Sequence, residues 1–364
     1  MISANENKID LTSGGPKVVH NPRPDSLTFL DFSVFPPRVQ HLEGVENSVL
    51  GPPSNVAISP DGRLALIANS IRVPFPGATN WVPENSIHIL DLTSRPPALA
   101  GRVNVEAQPS GISFTPNGRQ ALVANRAAGT VSLLHVDGLK VRHEGSVKVC
   151  EPIEAVSDVA VSPDGRLALA SAQKGGFLAV LRIEPGHLHF TGRKISVSGQ
   201  PYRCLITPDG QLGLVAGGGA GNARDLDALS IVDLTGASPQ TVAYVPLGAS
   251  PESIELSPDG KHLAAVVMDG SNLAPGDPHK TKQGQLVMLR RKSQRFVETQ
   301  RVPIVPIPEG VAFTADGRFL VVQGHPDRVL QVFAVKSGRV SDTGHRIPVP
   351  GMPSALRAWV PARR

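Results

Sequence analysis

The sequence predicts an all-β fold: a seven-bladed β-propeller of four-stranded antiparallel blades, its ring closed by N-terminal strands joining the C-terminal strand in one blade. Three observations predict it. A turn phrase recurs six times: Ser59-Pro60-Asp61-Gly62-Arg63, Thr115-Pro116-Asn117-Gly118-Arg119, Ser162-Pro163-Asp164-Gly165-Arg166, Thr207-Pro208-Asp209-Gly210-Gln211, Ser257-Pro258-Asp259-Gly260-Lys261 and Thr314-Ala315-Asp316-Gly317-Arg318. The turn glycines step forward by 56, 47, 45, 50 and 57 residues, which is the length of a propeller blade. A further copy of the repeat starts near the C-terminus and stops before its turn.

Each element follows from local chemistry. Asp-Gly and Asn-Gly supply the positive φ of a tight hairpin, and the preceding proline presets φ on the way in. The apolar runs on either side, such as Val56-Ala57-Ile58 and Leu64-Ala65-Leu66-Ile67, read as strands a and b. Strand a has a start signal: nine residues before the turn glycine stands Pro53, Pro109, Pro201, Pro251 or Pro308, with Val156 in the third repeat. Proline is tolerated at a strand's first residue, where its missing N–H breaks no ladder bond. Strand c follows b, as in Ser86-Ile87-His88-Ile89-Leu90, Thr130-Val131-Ser132-Leu133-Leu134 and Leu229-Ser230-Ile231-Val232.

A seventh strand a, Gly351-Met352-Pro353-Ser354-Ala355-Leu356, has no partners after it. The N-terminus supplies them, because Val18–Phe29 aligns without a gap to Leu122–Leu133. On this reading residues 18–29 are strands b and c of the closing blade. Residues 1–14, which lack an apolar run, are expected to be a flexible tail, and residues 15–364 one propeller domain. Closure removes the sheet edges that would otherwise template aggregation.

Composition narrows the function classes. The net charge is +5 with no long Lys/Arg block, and aromatics are only 4%, so stacking platforms for nucleic acid are scarce and none is expected as a partner. No stretch has the length of a membrane-spanning helix. The start has neither a basic n-region nor an apolar h-region, so a cytoplasmic location is expected. Cys150 and Cys204 fall in different blades and read as buried thiols.

One mouth of the channel should gather the strand-a starts and the b–c loops. Strand-a starts place Asn55, Asp158, Tyr202, Arg203, Glu252 and Glu309 there, and strand-b ends add His20, Asn69, Asn125, Arg126, Asp269 and His325. Small polar residues at such positions also cap free backbone groups. Three b–c loops are long, 72–84, 218–227 and 269–285, and the first carries Phe75 and Trp81; long loops more often serve function. Arg203 offers a planar fork for a carboxylate or phosphate, or else pairs with Glu252. Glu252 and Glu309 on adjacent blades suit a general acid/base pair, with His325 or His20 as alternative bases. No cofactor is expected; a divalent cation held by Glu252, Glu309, Asp158 and Asn55 is the exception left open. Gly217-Gly218-Gly219-Ala220-Gly221 reads as a flexible loop, not a nucleotide cradle.

The segments Leu122-Val123-Ala124-Asn125…Thr130-Val131-Ser132-Leu133-Leu134 and Leu66-Ile67-Ala68-Asn69…Ser86-Ile87-His88-Ile89-Leu90-Asp91 resemble the YVTN repeat. With the Asp-Gly turns, residues 15–364 resemble the YVTN/YncE-like and lactonase-like seven-bladed propellers, the latter including the 6-phosphogluconolactonase type. The lactonase branch uses a Pro-Arg-His start in one strand a, a Pro-His start in another and a Glu after the following strand b. Here Pro201-Tyr202-Arg203-Cys204, Val156-Ser157-Asp158 and Gly217-Gly218 stand at those places. The family's catalytic His and Glu are therefore unmatched, and its mechanism does not carry over residue by residue.

Two functions remain open. One is an enzyme, a hydrolase, lyase or isomerase, acting on a small anionic or sugar- or lactone-like substrate. In it Arg203, Glu252, Glu309 and His325 are catalytic, and Asn55, Asn69, Asn125, Arg126, Asp158, Tyr202, His20, Trp81 and Asp269 bind ligand. The other is a non-catalytic platform for a protein partner. Long loops over one mouth favour the pocket.

Overall fold

The structure is a computed structural model that describes residues 1–218 and 225–361. Seven four-stranded antiparallel sheets form the blades of a β-propeller, with one additional two-stranded sheet. Blade 1 runs Val56–Ile58, Leu64–Arg72, Val82–Asp91, Ala98–Asn104 from channel to rim. Blades 2 to 6 repeat that order from strands a at Pro109–Phe114, Val156–Val161, Gln200–Ile206, Pro251–Leu256 and Pro308–Phe313. Strands b and c are mostly apolar because neighbouring blades cover both their faces. The core is accordingly divided into seven apolar clusters, one at each blade-to-blade junction. Leu66 and Ile112 meet in one and Leu214 and Ile254 in another, all fully buried. No described helix is long and apolar enough to cross a membrane.

All six turns fold alike. In the first, Ser59 Oγ donates to Asp61 Oδ1 at 2.5 Å, the same oxygen accepts Arg63 N–H at 3.1 Å, and Leu64 N–H closes on Ser59 Oγ at 3.0 Å. The turn glycines have φ between 68° and 73°, a region in which a Cβ is strained. Successive turns of blades 1 to 6 also touch. A Cβ on Gly118 would meet Pro60, one on Gly165 would meet Pro116, and so on round to Gly317 over Pro258. At the seventh junction, where no turn proline exists, Trp359 covers Gly62 and donates Nε1–H to the Pro60 carbonyl at 3.1 Å.

The closing blade corrects the reading of the N-terminus. Its order is Met352–Arg357, Ile2–Glu6, Ser26–Asp31, Arg38–Glu43. Strand b is thus Ile2–Glu6, and the expected loose tail is a buried central strand. Residues 18–23 are not strand b. Lys17–Val18 instead pairs with Ile9–Asp10 as a small hairpin inserted between b and c. The strand was hidden because its polar residues are satisfied inside the sheet. Ser3 Oγ donates to Asn5 Oδ1 at 2.8 Å, Asn5 Nδ2 to Thr28 Oγ1 at 3.0 Å, and Gln323 Nε2 to Ser3 Oγ at 2.8 Å.

Candidate functional site

A cavity of about 810 Å³ opens at the mouth opposite the Asp-Gly turns. That size suits a small molecule. Its polar lining is Glu6, Gln108, Arg126, Lys174, Tyr202, Glu252, Asn272, Glu309, His325 and Ser354, and its apolar lining includes Ile9, Leu11, Val49, Leu50, Trp81, Ile153, Met268 and Ile307.

A recurring irregularity in strand a aims the polar groups. The ladder between strands a and b shifts register near the first residues of a in blades 2 to 6, and likewise between Ala4 and Asn5 opposite Ser354 in the closing blade. A bulge leaves an extra residue unpaired and re-aims its side chain. In consequence Tyr202, Glu252, Glu309 and Ser354, each directly after a proline, face the cavity. Their successors Arg203, Ser253 and Ala355 do not line it.

This corrects the expectation for Arg203. Its side chain is 1% exposed, with Nε donating to the Ile254 carbonyl at 2.7 Å and Nη2 paired to Glu255 Oε2 at 2.6 Å. Arg357 approaches the same carboxylate at 3.8 Å. Asp158 belongs with this inner group, since its Oδ2 accepts the Cys204 N–H at 3.0 Å. These are supports of the ring, and the expected partner Glu252 is not among them.

Other expected residues also hold the fold. Asn55 Nδ2 donates to the Asn47 and Ala68 carbonyls, both at 2.9 Å. Asn125 Nδ2 ties strand b to c through Thr130 and Ser132. Asn69 is fully buried off the cavity. His20 is exposed beyond the small hairpin. Asp269, at φ 48°, shapes its loop by accepting Thr281 Oγ1–H on its carbonyl. The cation set proposed from sequence is therefore dispersed, and among the described residues no three His, Cys, Asp or Glu side chains converge to hold a metal.

Glu252, Glu309, His325, Arg126, Tyr202 and Trp81 are brought together as expected. Glu6 is a functional candidate that sequence reasoning missed. Its signal was the Ala4-Asn5 pair, the same strand-b ending as Ala68-Asn69 and Ala124-Asn125. The hairpin at residues 7–25 was missed with it. Asp25 anchors that hairpin by accepting from Asn7 N–H at 3.0 Å, Lys8 Nζ at 2.5 Å and Asn47 N–H at 3.0 Å. Its tip reaches Ala274 in the blade 5 loop, so close that a Cβ on Gly14 would lie 3.0 Å away. The expected loop at 72–84 is shorter, because pairing continues to Arg72 opposite Val82. Of the expected loop at 218–227 and the glycine run 217–221, residues 219–224 lie outside the described residues.

The pit is desolvated and rich in groups without partners. Glu6 is 1%, Glu309 5% and His325 1% exposed. Glu6 Oε2 and Glu309 Oε1 lack a hydrogen bond. Burial raises all three glutamates: Glu252 to about 8, opposed by the Arg126 charge, and Glu309 well above the carboxylate range, reinforced by Glu252 and Glu6. Burial also holds Tyr202 neutral and lowers His325 to about 4. Arg126 is fixed by donating to Ser157 Oγ and Gln173 Oε1. The thiols are removed from this chemistry, as Cys150 is buried and raised to about 11.

No protein-family model matches the chain, and no curated protein matches it by sequence. Solved structures do match in shape. A protein of unknown function from Desulfotomaculum acetoxidans is 15% identical, with a TM-score of 0.71 over 92% of this chain and 96% of that one. A Bacteroides fragilis protein provisionally named 6-phosphogluconolactonase is 16% identical, with a TM-score of 0.69 over 98% and 97%. The periplasmic gluconolactonase of Pseudomonas aeruginosa is 18% identical, with a TM-score of 0.64 over 98% of both chains. At such identities the likeness establishes a shared propeller fold, on which functions differ.

Proposed function

We propose that the pit is a small-molecule site and that the protein is an enzyme using acid/base chemistry on a small polar, sugar- or lactone-like substrate. One observation carries this reading: buried carboxyl oxygens of Glu6 and Glu309 face the cavity without partners. Such groups cost folding free energy unless a ligand or solvent satisfies them. Perturbed carboxyls in a cleft mark functional sites.

The roles follow from electrostatics. Arg126 favours ionisation of Glu252, so Glu252 is the group that gives up its proton first and serves as base. Glu309, opposed by Glu252 and Glu6, keeps its proton and serves as acid. Arg126 orients an anionic group or meets developing negative charge. Two gluconolactonase-named neighbours share the fold, which makes ring hydrolysis the first reaction to assay, with elimination and isomerisation next.

The test is melting temperature against sugar acids, lactones and aromatic acids, followed by turnover assays on the class that stabilises. A ligand at a hundredfold its Kd adds roughly 2.7 kcal/mol. Stabilisation that disappears in Glu309→Gln supports the reading; stabilisation indifferent to Glu252→Gln, Glu309→Gln and Arg126→Gln sinks it. The alternative, a protein-binding platform, draws on exposed apolar residues on the mouth face, Phe75 at 63% and Ile153 at 75%. Capture of a protein partner that needs those two residues, with no small-molecule response, would favour it.

A further inference from the structure

The ionisable groups of the pit are sorted by side. Arg126 and Lys174 follow strand b of blades 2 and 3, whereas Glu252, Glu309 and Glu6 come from blades 5, 6 and 7. In a seven-membered ring the junction of blades 2 and 3 lies diametrically opposite blade 6. A cationic arc therefore faces a carboxyl arc across one cavity.

Neither arc is neutralised by the protein. Among the described residues Arg126 and Lys174 have no carboxylate within ion-pair distance, and Glu6, Glu252 and Glu309 have no Lys or Arg. Lys8, the cation next to Glu6 in sequence, is spent on Asp25 at 2.5 Å. The carboxyl arc also offers aimed acceptors, the unpartnered Glu6 Oε2 and Glu309 Oε1. A metal ion is poorly served there, since no three ligands converge among the described residues. An ammonium group needs less: its three N–H donors can be shared among these carboxyls, and in binding it takes the place of the protons that burial holds on them.

We propose that the ligand is dipolar, with a carboxylate or phosphate at Arg126 and Lys174 and an ammonium at Glu6, Glu252 and Glu309. This rests on the reading of the pit as a small-molecule site. Opposite charges held apart on one molecule would complete both arcs at once, and a simple anion or a neutral polyol would complete one at most. The apolar lining just before blade 1, Val49 and Leu50, suits the methylene spacer.

The probes are ω-amino acids from glycine to 8-aminooctanoate, with hexanoate, hexylamine, gluconate and gluconolactone as controls. Binding is read by calorimetry and melting temperature at pH 7 on the full chain. At the best length an ω-amino acid should bind at least tenfold more tightly than hexanoate or hexylamine. Glu309→Gln should remove the advantage over hexanoate and leave hexanoate binding intact; Arg126→Gln should remove the advantage over hexylamine and leave hexylamine binding intact. Should Glu309→Gln fail to fold, Glu252→Gln reads the same quantity. If hexanoate or gluconate binds as well as every ω-amino acid, through Arg126, the dipolar ligand is wrong and the small-molecule site stands. If no probe binds, both readings fall.

Discussion

The two faces of this ring obey different rules. On the turn face six hairpins repeat one hydrogen-bond pattern, with the Ser/Thr hydroxyl to Asp/Asn Oδ1 contact between 2.5 and 2.8 Å in every copy. On the mouth face the corresponding positions carry Ser354, Ser54, Ser110 and Ser157 in four adjacent blades, but Tyr202, Glu252 and Glu309 in blades 4 to 6. Repetition marks positions where every blade has the same local problem to solve. Divergence at equivalent places marks positions released from that problem, and there buried, unpartnered acids have been retained against their folding cost.

The sharpest way to break this contrast is to alter the mouth. Glu309→Gln or Glu252→Gln should lower turnover of the identified substrate by about a hundredfold or more, the usual worth of a proton-transfer group, with unfolding free energy unchanged or raised. A variant that kept its rate would strip the mouth of its chemical role. Next in size is Arg203→Ala, which leaves Glu255 without its 2.6 Å partner and should destabilise by roughly 3 kcal/mol in urea titration. Ligand-induced stabilisation should survive it; its loss would return Arg203 to the site.

The pH profile sharpens the same contrast. Glu252 titrates at about 8 when folded against about 4.5 when unfolded, so the folded state holds a proton that the unfolded state has released. Stability should fall as pH rises through that window, by up to about 1.4 kcal/mol per unit. His325, lowered to about 4, acts oppositely between about 4 and 6.5, because there the unfolded state binds the extra proton. Glu6 and Glu309 are raised as well and outweigh His325 and the Met1 amine, which burial lowers to about 6, so the net decline should begin near pH 4.5, and Glu252→Gln should make it shallower up to pH 8. A profile identical in the two proteins would show that Glu252 is ionised in the fold. The smallest effect belongs to one turn: Asp164→Ala removes a 2.5 Å and a 3.1 Å bond and should cost about 1 kcal/mol without touching binding.

What the sequence made legible follows the same division. The blades and their turns were readable because hairpin chemistry lies within a few residues. The strand at Ile2–Glu6 was not, because Ser3 and Asn5 look solvent-exposed until Gln323 and Thr28 are folded against them. Glu252 and Glu309 were placed correctly from their distance to the turn glycine, yet the same count misplaced Arg203. A bulge cannot be counted, and it sends Tyr202 to the cavity and Arg203 to Glu255. Glu6 was overlooked despite its Ala4-Asn5 signal because the carboxyl it joins in the pit, Glu309, lies some three hundred residues away.

The strand that carries Glu6 is also the one clasped between Met352–Arg357 and Ser26–Asp31. During synthesis it leaves the ribosome about 350 residues before its inner neighbour does. Until then its inner edge has no partner, and the acidic arc is one member short. Ring closure and completion of the pit are thus a single late event, so prematurely terminated chains should neither bind ligand nor bury that edge. Clearance of such fragments by proteases would follow from the same exposed edge.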